Sequence, residues 1–202
     1  MIYLKSSSIE SFNFNSADLQ LRCVSPGAEI HRLYRFPGGD FQPAPPQYRT
    51  GRLDPPAGRS SEYGVLYAAD TLITAALECG ELLIMPTDPP TYERSFYAGE
   101  ELPPTQHAVL RVLHPVKFLD FTDGATTQAL GLSLNSILDN IPVWRNASAR
   151  AVEIIRQKAL GENIAGICYH SKRRPAAVNY ALVQGRYEHI FVVERKGLAI
   201  LD

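Results

Sequence analysis

The chain has 202 residues, 45% hydrophobic and 20% charged, with a formal net charge of −1. That is enough to bury one sizeable core, too apolar for a disordered polypeptide, and too little positive charge for an electrostatic nucleic-acid binder. No stretch approaches the roughly 20 apolar residues of a membrane span. The opening MIYLKSSSIESFNFNSADL lacks the apolar core of a signal peptide, and Cys23, Cys79 and Cys168 form no CxxC pair, so a cytoplasmic protein without disulfides is expected.

In chain order, residues 1–28 are polar and aperiodic and read as an irregular arm covering one edge of the core; residues 29–202 read as the domain proper. Ile30–Phe36 alternates apolar and polar positions as a half-buried strand does. Gly38-Gly39-Asp40 ends it, and the proline-rich run through Pro46 cannot be a central strand. Gly51–Gly58 is a second loop, with its glycines and double proline. Tyr63–Ala69 reads as a buried strand, and Asp70 as the N-cap of a helix from Thr71 to about Leu83, with Pro86 just beyond it.

Asp88–Pro104 reads as a loop, and Ala108–Phe121 as one or two strands broken at Pro115. Residues 125–140 predict a helix and Asn146–Gly161 another, capped by Asn146. Ile164–Tyr169, Val178–Val183 and His189–Val193 are short strands, and Gly197–Leu201 a final one. Strands and helices mix without regular βαβ alternation, which predicts a single α+β domain without internal repeats.

Several chemistries are missing at motif level. There is no GxxxxGK[ST] loop, no GxGxxG and no GxSxG, and the five histidines form neither HExxH nor a zinc spacing with cysteine. No metal is therefore expected. What remains is a scattered polar set. Arg52 follows Gly51, so the backbone can approach a ligand while the guanidinium fork grips two phosphate oxygens; an exposed loop arginine has the same spacing. Arg35 stands beside a glycine turn with the same two readings. Tyr67 fits a core tyrosine, and a helical wheel puts Glu78 on the polar side with Thr74 and Glu81, as a solvated glutamate would be. Ser171 precedes Lys172-Arg173-Arg174 and reads either as a turn serine or as a hydroxyl presented to an anion.

Taken together, LYR (33–35), GR then PPAG (51–58), VLYAAD then ALE (65–78), FLDFTD (118–123) and GICYHS with a downstream asparagine (166–179) resemble the RES domain. That family is named for a recurring arginine, glutamate and serine. The resemblance runs from about Leu33 to Val183. It places the motif arginines on Arg35 and Arg52, the tyrosine on Tyr67, the glutamate on Glu78 and the serine on Ser171. Arg32 competes for the first position, and the LYR match favours Arg35. Leu53-Asp54 departs from the aromatic residue and asparagine that commonly follow GR in the family, and the stretch between Arg35 and Gly51 is unusually rich in proline.

The resemblance implies an ADP-ribosyltransferase-like fold with a central mixed or antiparallel sheet and flanking helices. It also implies a toxin of a bacterial toxin–antitoxin pair that destroys NAD⁺ by hydrolysis or phosphorolysis, with inorganic phosphate as a possible co-substrate. The partner it implies is an Xre-type helix-turn-helix antitoxin that covers the active site and carries any DNA contact. On this reading Glu78 stabilises an oxocarbenium-like state, Arg35 and Arg52 clamp phosphate groups, Tyr67 stacks on nicotinamide or ribose, and Ser171 binds the amide or a phosphate oxygen. Transfer of ADP-ribose to another acceptor, or a non-catalytic binding module, are the alternatives. The reading requires Glu78 to line a cleft close to Arg52.

Overall fold

The computed structural model describes residues 2–3, 13–95, 103–132, 141–161 and 163–200. Two short strands, β1 (Ile2–Tyr3) and β2 (Asn13–Phe14), pair with each other. The body of the molecule is an eight-stranded sheet made of β3 (Leu21–Val24), β4 (Glu29–Tyr34), β5 (Val65–Ala69), β8 (Gln106–Val112), β9 (Val116–Asp120), β10 (Ile164–His170), β11 (Val178–Val183) and β12 (Phe191–Leu198). Its order is β12-β8-β4-β5-β11-β10-β9-β3. Every neighbouring pair is antiparallel except β9 and β10. A hairpin of β6 (Leu82–Met85) and β7 (Thr91–Arg94) stands apart. Among the described residues three α-helices complete the fold: α1 (Leu72–Glu78), α2 (Gly124–Ala129) and α3 (Ile141–Arg156). The α+β class expected from the sequence is the class observed.

The centre of the sheet follows from its residues. Every residue of β11 (VNYALV) is buried, as are the first six of β10, so both faces must be covered, and near-continuous apolar runs are what such strands need. One face packs on α3, which buries Trp144, Ala147, Ala151, Val152, Ile154 and Ile155 there. The other closes over Phe118, Tyr180, Tyr187 and Phe191. Beyond the centre, α1 lays Ala75, Ala76 and Leu77 on Leu33 and Ala69.

The sheet is weakest between β4 and β5, where His31 and Ala69 form the one registered pair. The buried guanidinium of Arg32 bridges the gap, tying β4 to β5 and to the loop that follows β4. Its Nη1 donates to the Tyr67 carbonyl at 2.7 Å, Nη2 to that of Gln42 at 3.3 Å, and Nε to that of Gly39. Burial lowers its pKa to about 10, which leaves it charged at neutral pH.

Several elements differ from the sequence reading, each for a local reason. Residues 21–24, expected in an irregular arm, are the edge strand β3 against β9. Helix α1 stops at Glu78. Gly80 adopts φ +73, and Glu81 N–H and Gly80 N–H turn back to the carbonyls of Ala76 and Leu77, the Schellman closure. The following LLIM is therefore strand β6, and part of the segment read as a loop is β7. The cap of α1 is Thr71, whose hydroxyl accepts from Thr74 N–H. Asp70 instead ties to β11, accepting from Val178 N–H at 3.0 Å. Helix α3 starts five residues earlier than expected, with Pro142 in its first turn, and Asn146 is interior. Of the helix expected over 125–140, Gly124–Ala129 is observed, and residues 133–140 lie outside the described residues. Among the described residues no helix is long and apolar enough to cross a membrane.

Gly166 sits at a bulge between β9 and β10, and a Cβ there would lie 2.0 Å from the carbonyl oxygen of Ala181. Backbone has to move to admit any side chain. Gly166→Ala should destabilise the fold by about 3 kcal/mol, whereas Gly124→Ala, which meets nothing within 4 Å, should leave the urea midpoint unchanged or slightly raised.

Candidate active site

The divergence of β4 and β5 opens a cleft of about 400 Å³, walled by the first turns after Thr50, by α1 and by the start of α3. Its floor follows from the registers. His31, Ala69, Asn179 and Tyr169 are successive cross-strand partners on β4, β5, β11 and β10, so they share one face of the sheet. All four line the cleft, as do Arg52, Tyr67 and Glu78.

Glu78 is the last residue of α1. A carboxylate there faces the negative end of the helix, an unfavourable place for it. Its environment compensates. Oε1 accepts from the Ser171 hydroxyl at 2.6 Å and from Lys172 N–H at 2.9 Å, and Oε2 lies 3.7 Å from an Arg52 nitrogen. Hydrogen bonds to a charged acceptor stabilise by roughly 1.5–3 kcal/mol each. The hydroxyl of Ser171 is fixed in turn, accepting from Arg173 N–H at 3.2 Å and Arg174 N–H at 3.0 Å. Ser171 is buried and its proton goes to Glu78. It therefore stands behind the glutamate, holding it, which differs from the direct contact with an amide or phosphate expected of it.

Arg52 lies between two aromatic faces, its guanidinium carbon 5.2 Å from the Trp144 ring centre and 5.1 Å from that of Tyr169. Such contacts stabilise by about 0.5–2 kcal/mol each. They orient the fork without consuming its N–H groups. Among the described residues the guanidinium makes no polar approach closer than the 3.7 Å to Glu78, so its donors are free to meet an anion.

The loop that carries Arg52 is anchored at several points. Leu53 is fully buried, its carbonyl accepting from Ser148 at 2.8 Å and its N–H donating to the Tyr67 hydroxyl at 3.1 Å. Arg145 reaches the Gly51 carbonyl at 3.0 Å, and Arg49 ties Ala44, Ser60 and Tyr63 together through their carbonyls. The Asp54 carboxylate accepts from Gly51 N–H at 2.7 Å and bonds the Tyr67 hydroxyl. Burial raises the Asp54 pKa, opposed first by the Gly51 N–H and then by Arg145 and Arg49. Burial, then the Asp54 charge, pushes the Tyr67 hydroxyl well above its ordinary value. Tyr67 thus acts as a buried post for the loop as well as a wall of the cleft.

The structure brings Arg52, Tyr67, Glu78 and Ser171 together and leaves Arg35 out. The Arg35 guanidinium is paired with Glu81 and donates to Thr105 at 2.9 Å, and it opens on a separate surface hollow with Asp40 and Lys196. At the cleft itself the first arginine is Arg32, whose donors are spent on backbone carbonyls. Residues that sequence reasoning passed over are Trp144, Tyr169, Asp54, His31 and Asn179. Asn179 carried one signal, its place in the ordered motifs. The single tryptophan carried another, since it fell between two predicted helices.

Asp54 uses acceptor oxygens rather than its charge, so an amide should replace it. Asp54→Asn is expected to keep stability within about 0.5 kcal/mol. Asp54→Ala, which strands Gly51 N–H and the Tyr67 hydroxyl, should cost about 1–3 kcal/mol; chemical denaturation of both variants measures the difference.

No curated protein matches the chain. Among solved structures, a chain of the crystal structure described as the M. tuberculosis MbcT–MbcA toxin–antitoxin complex superposes with a TM-score of 0.56 at 13% identity, covering 91% of this chain and 88% of that one. That likeness concerns the fold. The sequence model of the RES domain matches residues 29–199, which include the sheet from β4 onward and every residue named in the cleft. The chain belongs to the RES domain family.

Proposed function

We propose that this protein is an enzyme that cleaves the nicotinamide–ribose bond of NAD⁺, with water or phosphate as acceptor, and that it serves as the toxin of a toxin–antitoxin pair. The observation that carries the reading is the Glu78 carboxylate, held at the closing end of α1 by Ser171 and Lys172 N–H, with Oε2 turned toward the ring-stacked Arg52. In the reaction the ribose C1′–N bond breaks and its electron pair leaves with nicotinamide. Positive charge develops on the ribose, and a fixed carboxylate lowers the energy of that state. The acceptor oxygen then bonds C1′ and releases its proton to solvent. Arg52 binds the pyrophosphate or the attacking phosphate through its unused fork.

Support for a partner comes from the structural neighbour, which was crystallised as a toxin–antitoxin complex, and from family membership. On this reading an antitoxin of the Xre helix-turn-helix type covers the cleft, and DNA contact belongs to it, since a net charge of −1 gives this chain no electrostatic footprint for nucleic acid.

Purified wild-type protein should consume NAD⁺ and release nicotinamide; faster loss with inorganic phosphate would identify phosphorolysis, and equal loss hydrolysis. Glu78→Gln, which keeps the shape and removes the charge, should lower kcat roughly 100-fold or more. Failure of the wild type to consume NAD⁺ would sink the proposal, and labelled protein from labelled NAD⁺ would move it to ADP-ribose transfer. Arg52→Lys loses the planar fork and the ring stacking together, so KM for NAD⁺ should rise about tenfold or more with a smaller change in kcat.

A further inference from the structure

We infer that His31 and His107 form a two-ring proton conduit that carries the proton of the attacking acceptor from the floor of the cleft to solvent beside β12; the inference rests on cleavage of NAD⁺ by water or phosphate. The rings come from adjacent strands. His31 on β4 is registered with Val109, and His107 on β8 with Leu33, so the two are diagonal neighbours on one face. Nδ1 of His31 lies 3.0 Å from Nε2 of His107. The ring centroids are 5.3 Å apart and the planes differ by 13°, a separation that equals the hydrogen bond plus roughly the width of one ring. The rings therefore lie edge to edge in nearly one plane, with the N–H of one aimed along the lone pair of the other. Either ring can be the donor, which is what a relay requires.

The two ends of the pair open in different places. Among the described residues each ring keeps one nitrogen without a partner, Nε2 of His31 and Nδ1 of His107, and neither is a buried orphan, so both reach accessible surface. His31 lines the cleft, whereas His107 stands outside it. The cross-strand neighbour of His107 on β12 is Gly197, in an exposed run, and a Cβ there would meet nothing within 4 Å.

A ligand of the size of NAD⁺ fills a cleft of about 400 Å³ and displaces its water, so the acceptor's proton needs an exit through the wall. Other groups of the cleft are poorly suited to take it. Arg32 and Arg52 are cations, and Glu78 is committed to the charge that develops on the ribose. Burial raises the Tyr67 and Tyr169 hydroxyls and the Cys79 thiol, which keep their own protons at neutral pH. Burial lowers both imidazoles; Arg195 lowers them further, against Glu29 and Asp70 at His31. The pair is thus neutral near pH 7, with a vacant nitrogen at the cleft. Nε2 of His31 takes the acceptor's proton, the proton on Nδ1 crosses to Nε2 of His107, and the proton on Nδ1 of His107 leaves to solvent. One proton enters and one departs. Both rings end neutral in the other tautomer, and exchange with solvent at the two ends resets them once the product has left.

His107→Gln separates conduction from support. Its amide can still bond Nδ1 of His31 and hold that ring, but it passes no proton. In dilute buffer its kcat should fall about 100-fold, the lower end of what positioned proton transfer contributes, with KM for NAD⁺ unchanged. Free imidazole at millimolar concentration should restore most of the loss. A His107 that merely props His31 predicts a glutamine variant with the kcat of wild type, or a loss that imidazole leaves in place, and either result overturns the inference alone. Should the variant fold poorly, the wild type still reports: its kcat in mixtures of H₂O and D₂O should fall along a curve, because more than one proton moves, and a straight line overturns the inference. A wild type that does not consume NAD⁺ overturns it together with the reading on which it rests.

Discussion

A carboxylate held against the negative end of a short helix is the constraint around which this molecule is arranged. Left to itself, a carboxylate at the last position of α1 would be repelled by the negative end of the helix. The Ser171 hydroxyl and Lys172 N–H fix one of its oxygens, and Arg52 stands opposite the other. Those three groups come from two distant parts of the chain, the loop after Thr50 and the turn after β10. Both must be in place before the glutamate is. Much of the polar construction elsewhere, from Arg49 and Arg145 to Asp54 and Ser148, serves to seat the first of these two loops.

The cleft itself comes from an interruption in the sheet. Full pairing of β4 with β5 would leave no room for a ligand above Ala69. The strands instead share a single registered pair, and Arg32 bonds the Tyr67 carbonyl of β5 together with the loop carbonyls of Gly39 and Gln42. A buried arginine is an expensive way to close a gap. It is tolerable here because three carbonyls receive its donors, and it keeps the two halves of the sheet joined while they diverge. Arg32 and Arg52 thus divide the work, one holding the floor and the other left free for an anion.

Much of the fold was legible in the sequence, because buried strands such as Ile164–Tyr169 and Val178–Val183 are continuous apolar runs between breakers. The break at Pro115 also separates β8 from β9 where expected. Helix ends were less legible. A wheel drawn through Leu83 assumes that the helix continues, and the turn at Gly80 ends it first, so the solvated glutamate expected from periodicity lies in a cleft. Of the site, Arg52, Tyr67, Glu78 and Ser171 were named from motif order, and no local pattern singled them out. Arg35 was preferred to Arg32 on a three-residue match, and the structure pairs it with Glu81 instead. Trp144 and Tyr169 escaped notice because ring stacking on an arginine depends on tertiary approach, which leaves no spacing in sequence.

The central claim is that the space between the two sheet halves holds NAD⁺ with its ribose at Glu78 and its pyrophosphate at Arg52. The most direct measurement is a crystal structure of the wild-type chain with an uncleavable NAD⁺ analogue in which carbon replaces the ribose ring oxygen. The account predicts the analogue in this cleft, its C1′ beside Oε2 of Glu78 and its phosphates on the Arg52 guanidinium. An analogue bound elsewhere, or lying in the cleft with its phosphates turned away from Arg52, would contradict it.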